Sequence, residues 1–118
     1  MFKTHHAKNE DGSVHVTLIG SLDTEAAERF EEELDMHLAP GLRFLLIDME
    51  QLCYLASAGL RVLLSGAKKA KNMEVELVIC SLQPLVHSVF DAAGFTRIFK
   101  IFASREEAHK SRSKHSST

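Results

Sequence analysis

The sequence has few of the features that would assign it to a specialised class of protein. Its 118 residues include only two cysteines and carry a formal net charge of −2. So small a charge provides no whole-chain attraction to nucleic acid or to an anionic membrane. No apolar run approaches the ~20 residues of a membrane-spanning helix, and the first residues lack the apolar core of a signal peptide. We therefore expect one cytoplasmic domain, long enough to bury a core without disulfides.

Cysteine and histidine spacings indicate neither a disulfide nor a metal site. Cys53 and Cys80 lie in separate apolar segments, outside any Cys-x-x-Cys or Cys/His pattern, so we predict buried free thiols in a reducing compartment. His5 and His6 are adjacent on a predicted strand and would point to opposite faces. No other histidine pair has the helical spacing of metal ligands. The sequence predicts no metal and no cofactor.

The sequence also lacks two common catalytic motifs. A serine hydrolase of the nucleophile-elbow type needs Gly-x-Ser-x-Gly, whereas Leu55-Ala-Ser-Ala-Gly59 has leucine at the first glycine position. No glycine-rich loop is present that could cradle a nucleotide phosphate. We therefore expect a protein that is not an enzyme.

Hydrophobic periodicity predicts alternating strands and helices in the first half. Asp11-Gly12 is typical of a hairpin turn, and the apolar side chains from Val14 to Leu18 alternate as in a strand. Asp23 or Thr24 can cap a helix with an acidic outer face that ends before Pro40-Gly41. The continuous apolar run from Phe44 to Ile47 is typical of a central strand buried on both faces.

The same alternation continues in the second half. An apolar helical pattern begins at Ser57, and residues 75–79 alternate as in a strand. Ser81 is predicted to open the next helix, and Ile98 to Phe102 to form a short last strand. The residues from Ser104 to Glu107 match a capping box, which predicts a final helix.

This order predicts an α/β domain with a mostly parallel sheet, an N-terminal hairpin and about four helices. The domain is expected to cover residues 1–110. Residues 111–118 contain no apolar side chain, and this composition predicts a disordered tail.

The junction at Ser57 is the most informative candidate site. It lies where an apolar strand is predicted to end and an amphipathic helix to begin. A serine at a helix N-cap offers its hydroxyl to free backbone N–H groups. A phosphate attached there would meet the same donors and the positive end of the helix dipole. The position therefore suits a reversible change of charge.

Four motifs in register make the chain similar to the STAS family, the sulfate transporter and anti-sigma factor antagonist domain. They are Gly20-Ser-Leu-Asp23 before an acidic helix, Leu46-Ile-Asp48 ending a strand, Ser57-Ala-Gly-Leu60 at a helix start, and Gly94-Phe95 after the third helix. The resemblance runs from about residue 3 to about residue 109. It implies the STAS fold and, for a single domain, a role as an anti-sigma factor antagonist.

In such a role the unphosphorylated protein binds an anti-sigma factor, which is often also a serine kinase, and so frees a sigma factor. Phosphorylation of the motif serine releases the partner, and a serine phosphatase reverses the change. By motif position that serine is Ser57. The partner-binding residues that the resemblance and the helix geometry imply are Asp23, Ala56, Ser57, Ala58, Gly59 and Arg61.

The resemblance has one departure, because many phosphorylated members have an acidic residue directly before the serine, where this chain has Ala56. A missing carboxylate removes one contact that could orient a kinase. Ser57 could then serve only as a helix cap, and this alternative stays open.

Two further functions also stay open. A STAS subunit can act as a scaffold in a larger assembly, such as a lipid-transport complex or a stress-sensing particle, without control of a sigma factor. A receiver-like domain would instead accept a phosphoryl group on Asp48 with the help of Mg²⁺. That chemistry needs a nearby acidic pair, and the closest candidates, Glu10-Asp11, fall in the predicted hairpin turn.

Overall fold

The computed structural model describes the backbone of residues 1–116 and the side chains of residues 1–112. Within that range strands and helices alternate along the chain, and no helix is both long and apolar enough to cross a membrane. The elements are β1 (Phe2–Lys8), β2 (Val14–Leu22), α1 (Thr24–His37), β3 (Phe44–Leu55), α2 (Ser57–Asn72), β4 (Glu76–Cys80), α3 (Pro84–Ala92), a short 3₁₀ helix (Phe95–Arg97), β5 (Lys100–Phe102) and α4 (Arg105–Ser116).

The strands form one sheet in the order β1-β2-β3-β4-β5. In the described part of the chain, only the β1–β2 pair is antiparallel, and β2 through β5 run parallel to one another. The turn between β1 and β2 is held by Asp11, whose carboxylate accepts hydrogen bonds from the Ser13 N–H at 2.9 Å and the Ser13 hydroxyl at 2.7 Å. This architecture confirms the predicted α/β fold with an N-terminal hairpin.

The helices cover the two faces of the sheet unequally. Helices α1, α2 and α3 bury their apolar side chains in one large core on the first face, where Phe30, Leu63 and Phe90 are almost fully buried. Among the described residues, the helix that covers the second face is α4, and its buried residue there is Ala108. The first face therefore supplies most of the apolar burial, and the packing on the second face is much lighter.

Strand β3 and helix α3 differ from the predicted boundaries. The prediction that this strand ends at Asp48 is wrong: β3 continues to Leu55, because its last residues pair with β2 after β4 has ended. Helix α3 begins at Pro84 and not at Ser81, whose φ of 62° is left-handed and cannot start a helix. Gln83, which precedes the proline, is held in the extended region and forms the N-cap. The predicted start at Ser81 is therefore wrong.

Helix α4 begins where the capping box predicts. The Glu107 N–H donates to the Ser104 hydroxyl at 3.2 Å, and the Glu107 carboxylate accepts from the Ala103 N–H at 3.1 Å. The helix then continues to Ser116, into the segment whose composition predicts a disordered tail. In this segment Arg112 forms an ion pair at 2.6 Å with Asp11 of the β1–β2 turn. Residues 117 and 118 of the predicted tail lie outside the described residues.

Candidate functional site

Two helices begin side by side at the carboxyl ends of β2 and β3. Leu22 and Leu55, the last residues of these strands, are direct neighbours in the sheet register. The Ala56 N–H donates to the Leu22 carbonyl at 2.9 Å and ties the two chain exits together. Asp23 and Ser57 follow these exits, so the structure brings together two of the predicted site residues.

Asp23 is the N-cap of α1, as predicted. Its backbone is extended, with φ −87° and ψ −176°, and its carboxylate accepts a hydrogen bond from the Ala26 N–H at 2.8 Å. The cap satisfies one of the N–H groups that a helix start leaves unpaired. The carboxylate thereby has a structural role at the entrance of α1.

Ser57 is not the N-cap of α2, and that part of the prediction is wrong. The N-cap is Ala56, whose extended backbone leads out of β3, and Ser57 is the first residue with helical geometry. The hydrogen bond from Ala56 to β2 fixes this boundary one residue earlier than the serine pattern predicts. The Ser57 side chain is exposed, and its hydroxyl has no hydrogen-bond partner in the described part of the chain.

The first turn of α2 presents an uncompensated positive end. Its first intrahelical hydrogen bond runs from the Leu60 N–H to the Ala56 carbonyl at 3.1 Å. The N–H groups of Ser57, Ala58 and Gly59 therefore have no backbone acceptor within the described residues. No acidic side chain lies in this first turn. The start of α2 thus combines unpaired donors with the positive end of the helix dipole.

Arg61 lies on the same side of α2 as Ser57, one turn further along. Residues four apart on a helix are neighbours, about 5–6 Å apart at their Cβ atoms. The Arg61 side chain is exposed and has no ion-pair partner within the described residues. Five residues of this region are called the α1/α2 edge below: Ser57 and Arg61, which are exposed, and Asp23, Ala56 and Ala58, which are half-buried.

Gly59 belongs to the predicted set but is buried, and the structure gives it a packing role. A Cβ at this position would lie 2.8 Å from Cδ1 of Leu55 and 2.9 Å from Cδ2 of Leu22. Such distances are well inside normal carbon–carbon contact. The glycine therefore allows the first turn of α2 to lie directly against the ends of β2 and β3, and it positions the α1/α2 edge from beneath.

Cys53 and Tyr54 are two exposed residues near Ser57 that the sequence pattern did not predict to be exposed. Cys53 is exposed, which corrects the prediction of a buried thiol, and its Sγ donates to the Gly20 carbonyl at 3.2 Å. The side chain of Tyr54, three residues before Ser57, is 54% exposed. Both exposures arise because this end of β3 extends beyond β4. The register between β2 and β3 is irregular here, so strict alternation of buried and exposed residues does not predict that both side chains are exposed.

Asp48 lies apart from the α1/α2 edge, midway along β3 and on the sheet face that α4 covers. The residue is buried, and its carboxylate accepts from the Arg105 guanidinium at 2.8 Å and the Glu50 N–H at 3.0 Å. Within residues 1–112, no cluster of three or more His, Cys, Asp or Glu side chains could hold a metal ion. The arrangement gives Asp48 a structural role and offers no support for a receiver-like phosphoacceptor.

Comparison with known sequences relates the chain to one protein family. The STAS domain model matches residues 5–108. Over 98 residues the chain is 41% identical to BtrV of Bordetella bronchiseptica, provisionally assigned as an anti-sigma factor antagonist, with 83% of this chain and 84% of that protein covered.

Solved structures show the same fold at lower identity. An anti-sigma factor antagonist from Mycobacterium paratuberculosis superimposes with a TM-score of 0.84 at 20% identity, covering 94% of this chain and 93% of the other. The phosphorylated form of the Bacillus cell fate determinant SpoIIAA superimposes with a TM-score of 0.70 at 20% identity, covering 93% and 97%. Taken with the family model and the sequence relative, these likenesses show that the chain belongs to the STAS domain family.

Proposed function

We propose that the chain is a cytoplasmic anti-sigma factor antagonist, without enzymatic activity, that binds an anti-sigma factor through the α1/α2 edge. In this proposal phosphorylation of Ser57, by an anti-sigma factor that is itself a serine kinase or by a separate one, releases the partner. A serine phosphatase then restores binding. The observation that carries the proposal is the exposed, unpartnered Ser57 hydroxyl at the first turn of α2.

The free donors of the α1/α2 edge explain how an unmodified protein would hold a partner. The unpaired N–H groups of Ser57 and Ala58 and the guanidinium of Arg61 are all positive in character. Together they suit a carboxylate on the partner, because hydrogen bonds to a charged acceptor are the stronger ones. Exposed Tyr54 adds an aromatic side chain of a type enriched at protein interfaces.

Phosphorylation would remove this attraction without disturbing the fold. A phosphate on Ser57 adds about −1.5 to −2 charges and three acceptor oxygens. These oxygens can take up the donors of the same helix turn and the Arg61 guanidinium, which lies four residues on. The partner's carboxylate would then face an occupied and negatively charged edge, with the Asp23 carboxylate beside it. Binding is lost by competition and repulsion.

Ala56 does not prevent this mechanism, although it removes a carboxylate that other phosphorylated members have. The Ser57 hydroxyl is exposed, and no acidic residue in the first turn would repel an incoming phosphate donor. A kinase can instead recognise Tyr54 and Arg61, which lie three residues before and four residues after the serine. The solved phosphorylated form of Bacillus SpoIIAA supports the idea that this fold accepts a phosphate.

The phosphorylation step is tested with the candidate kinase and ATP, followed by peptide mass spectrometry. We expect phosphate on the peptide that contains Ser57 and none after Ser57→Ala. Ser65 is a matched control, because it is an exposed serine two turns further along α2. An active kinase that leaves Ser57 unmodified would refute this step.

The release step is tested by titration calorimetry with the purified anti-sigma factor. Ser57→Ala is expected to bind as the wild type does, and Ser57→Asp to bind at least tenfold more weakly. Ser65→Asp adds the same charge to the same helix and should leave affinity unchanged. Equal affinities for Ser57→Asp and the wild type would contradict control by charge at the α1/α2 edge, and absence of binding by all forms would contradict the assignment of the partner.

A further inference from the structure

Helix α4 is held to the sheet mainly by polar side chains. Its contact face consists of Arg105, Ala108, His109 and Arg112, which follow the spacing of one helix face. Ala108 is the buried residue of this face, and the other three carry charged or titratable groups. A helix docked in this way depends on electrostatic balance more than on apolar burial.

Two histidines meet at the centre of this contact. The ring of His109 on α4 lies against the ring of His15 on β2, with centroids 4.6 Å apart and planes tilted by 51°. The Nε2 atom of His15 is buried and has no hydrogen-bond partner within the described residues. If His15 gained a proton, Nε2 would become a buried N–H donor without an acceptor. The surroundings therefore favour the neutral form of His15, in which this atom carries no proton.

Positive groups flank the histidine pair on α4, and the carboxylates opposite are already engaged. Arg105 pairs with Asp48 on β3 at 2.8 Å, and Arg112 pairs with Asp11 in the β1–β2 turn at 2.6 Å. The guanidinium of Arg112 also lies 4.9 Å from the centre of the Phe44 ring.

The strands on either side of His15 place no unpaired carboxylate next to it, because Asp48, two residues along β3, is already paired with Arg105. Its register partner on β3 is Leu46 and its partner on β1 is Ala7. The nearest titratable group of β1 on this face is His5, which pairs with Thr17. A proton added to His15 therefore meets positive neighbours on α4 and no unengaged carboxylate from the strands.

We propose that α4 is an acid-sensitive latch, docked on the sheet while His15 is neutral and released when His15 gains a proton. Release would uncover the apolar second face of the sheet, where Phe44, Leu46 and Cys80 are buried.

The direction of the pH effect follows from the surroundings of His15. Burial, with His109 and Arg105 beside it, lowers the pKa of His15 below its usual value of 6.5, although Asp11 acts in the opposite direction. Between the lowered pKa of His15 in the docked state and its usual value of 6.5, the released state binds more protons than the docked state does. Docking is therefore fully stable above pH 6.5 and weakens as the pH falls from there through the lowered pKa.

Cys80 allows the latch to be measured, because its thiol is buried beneath α4. Cys53→Ser removes the exposed thiol, and 2,2′-dithiodipyridine reacts with the remaining cysteine in mildly acidic solution. The labelling rate is measured from about pH 8 to about pH 5, across the range in which histidine titrates, and divided by the rate in the urea-unfolded protein at the same pH. The normalised rate is expected to rise as the pH falls, by at most ~10-fold per pH unit for the uptake of one proton.

Matched variants identify the histidine that titrates. His15→Gln is expected to abolish the rise, whereas His5→Gln, on the same face of the adjacent strand, should retain it. If His15→Gln does not fold by far-UV circular dichroism, His15→Asn serves the same purpose. A normalised rate that is independent of pH would overturn the proposal, and so would a rise that persists after replacement of His15.

Hydrogen exchange separates release of α4 from general acid unfolding. At the acidic end of the range, the amides of α4 should lose protection while those of α2 keep theirs. Simultaneous loss in both helices would show that the whole domain unfolds, and the latch would be refuted.

Discussion

Replacement of Gly59 by alanine tests whether the motif glycine is needed for packing beneath the α1/α2 edge. The added Cβ would lie 2.8–2.9 Å from the side chains of Leu55 and Leu22, whose exposed fractions are 5% and 0%. Ordinary contact needs ~3.5–4.0 Å, so buried leucines or the helix start must shift by about 0.5–1 Å. Overpacking of this kind costs ~1–3 kcal/mol. The gain in helix propensity from glycine to alanine returns at most ~1 kcal/mol.

The expected net result is a loss of about 1 kcal/mol in the free energy of unfolding, measured by urea denaturation followed by far-UV circular dichroism. Ser65→Ala, at an exposed position of the same helix, shows the effect of propensity alone and should be neutral or slightly stabilising. Leu55→Val removes the atom that the new Cβ meets, so it should cost less in the Gly59→Ala background than in the wild type. Stabilisation by Gly59→Ala as large as that of Ser65→Ala would refute the packing argument.

Two further predictions concern the helix starts and the cysteines. Asp23→Ala should lower the free energy of unfolding by ~1 kcal/mol in the same urea experiment, because a helix cap is lost. Ser57→Ala should change it by less than ~0.5 kcal/mol, because the Ser57 hydroxyl has no partner. Equal losses would contradict the assignment of Ala56 as the N-cap. Iodoacetamide at mildly alkaline pH should modify Cys53 and spare Cys80, because burial raises the pKa of the Cys80 thiol to about 11. Peptide mass spectrometry measures the modified fraction of each cysteine, and equal fractions would contradict the burial of Cys80.

The order of elements could be predicted because it depends on local patterns. The apolar run from Phe44 to Ile47 and the capping box at Ser104 both report on neighbouring residues, and both predictions are confirmed. The end of β3 at Leu55 depends on pairing with β2, and such pairing has no signature within β3 itself. The last turns of α4 contain Arg112, which binds Asp11 from 101 residues away. Long-range contacts of single charged residues are invisible to composition.

The candidate site shows the same division between local and long-range information. Asp23 could be predicted as a cap from its position before a helical pattern. The contacts of Gly59 with Leu22 and Leu55 could not be predicted from the motif, because the two leucines lie on different strands. The ion pair between Asp48 and Arg105 joins residues 57 positions apart. Sequence patterns therefore located the α1/α2 edge but not the contacts that support it.

The position of Ser57 one residue inside α2 strengthens the proposed switch. A serine at the N-cap would use its hydroxyl oxygen to accept a backbone N–H bond, and modification would disturb a contact worth ~1 kcal/mol. Ser57 makes no such contact, so its hydroxyl is available to a kinase at no cost to the helix. The cap is instead provided by the backbone of Ala56, which β2 holds in place. Phosphorylation can then change the charge of the α1/α2 edge while the helix start remains intact.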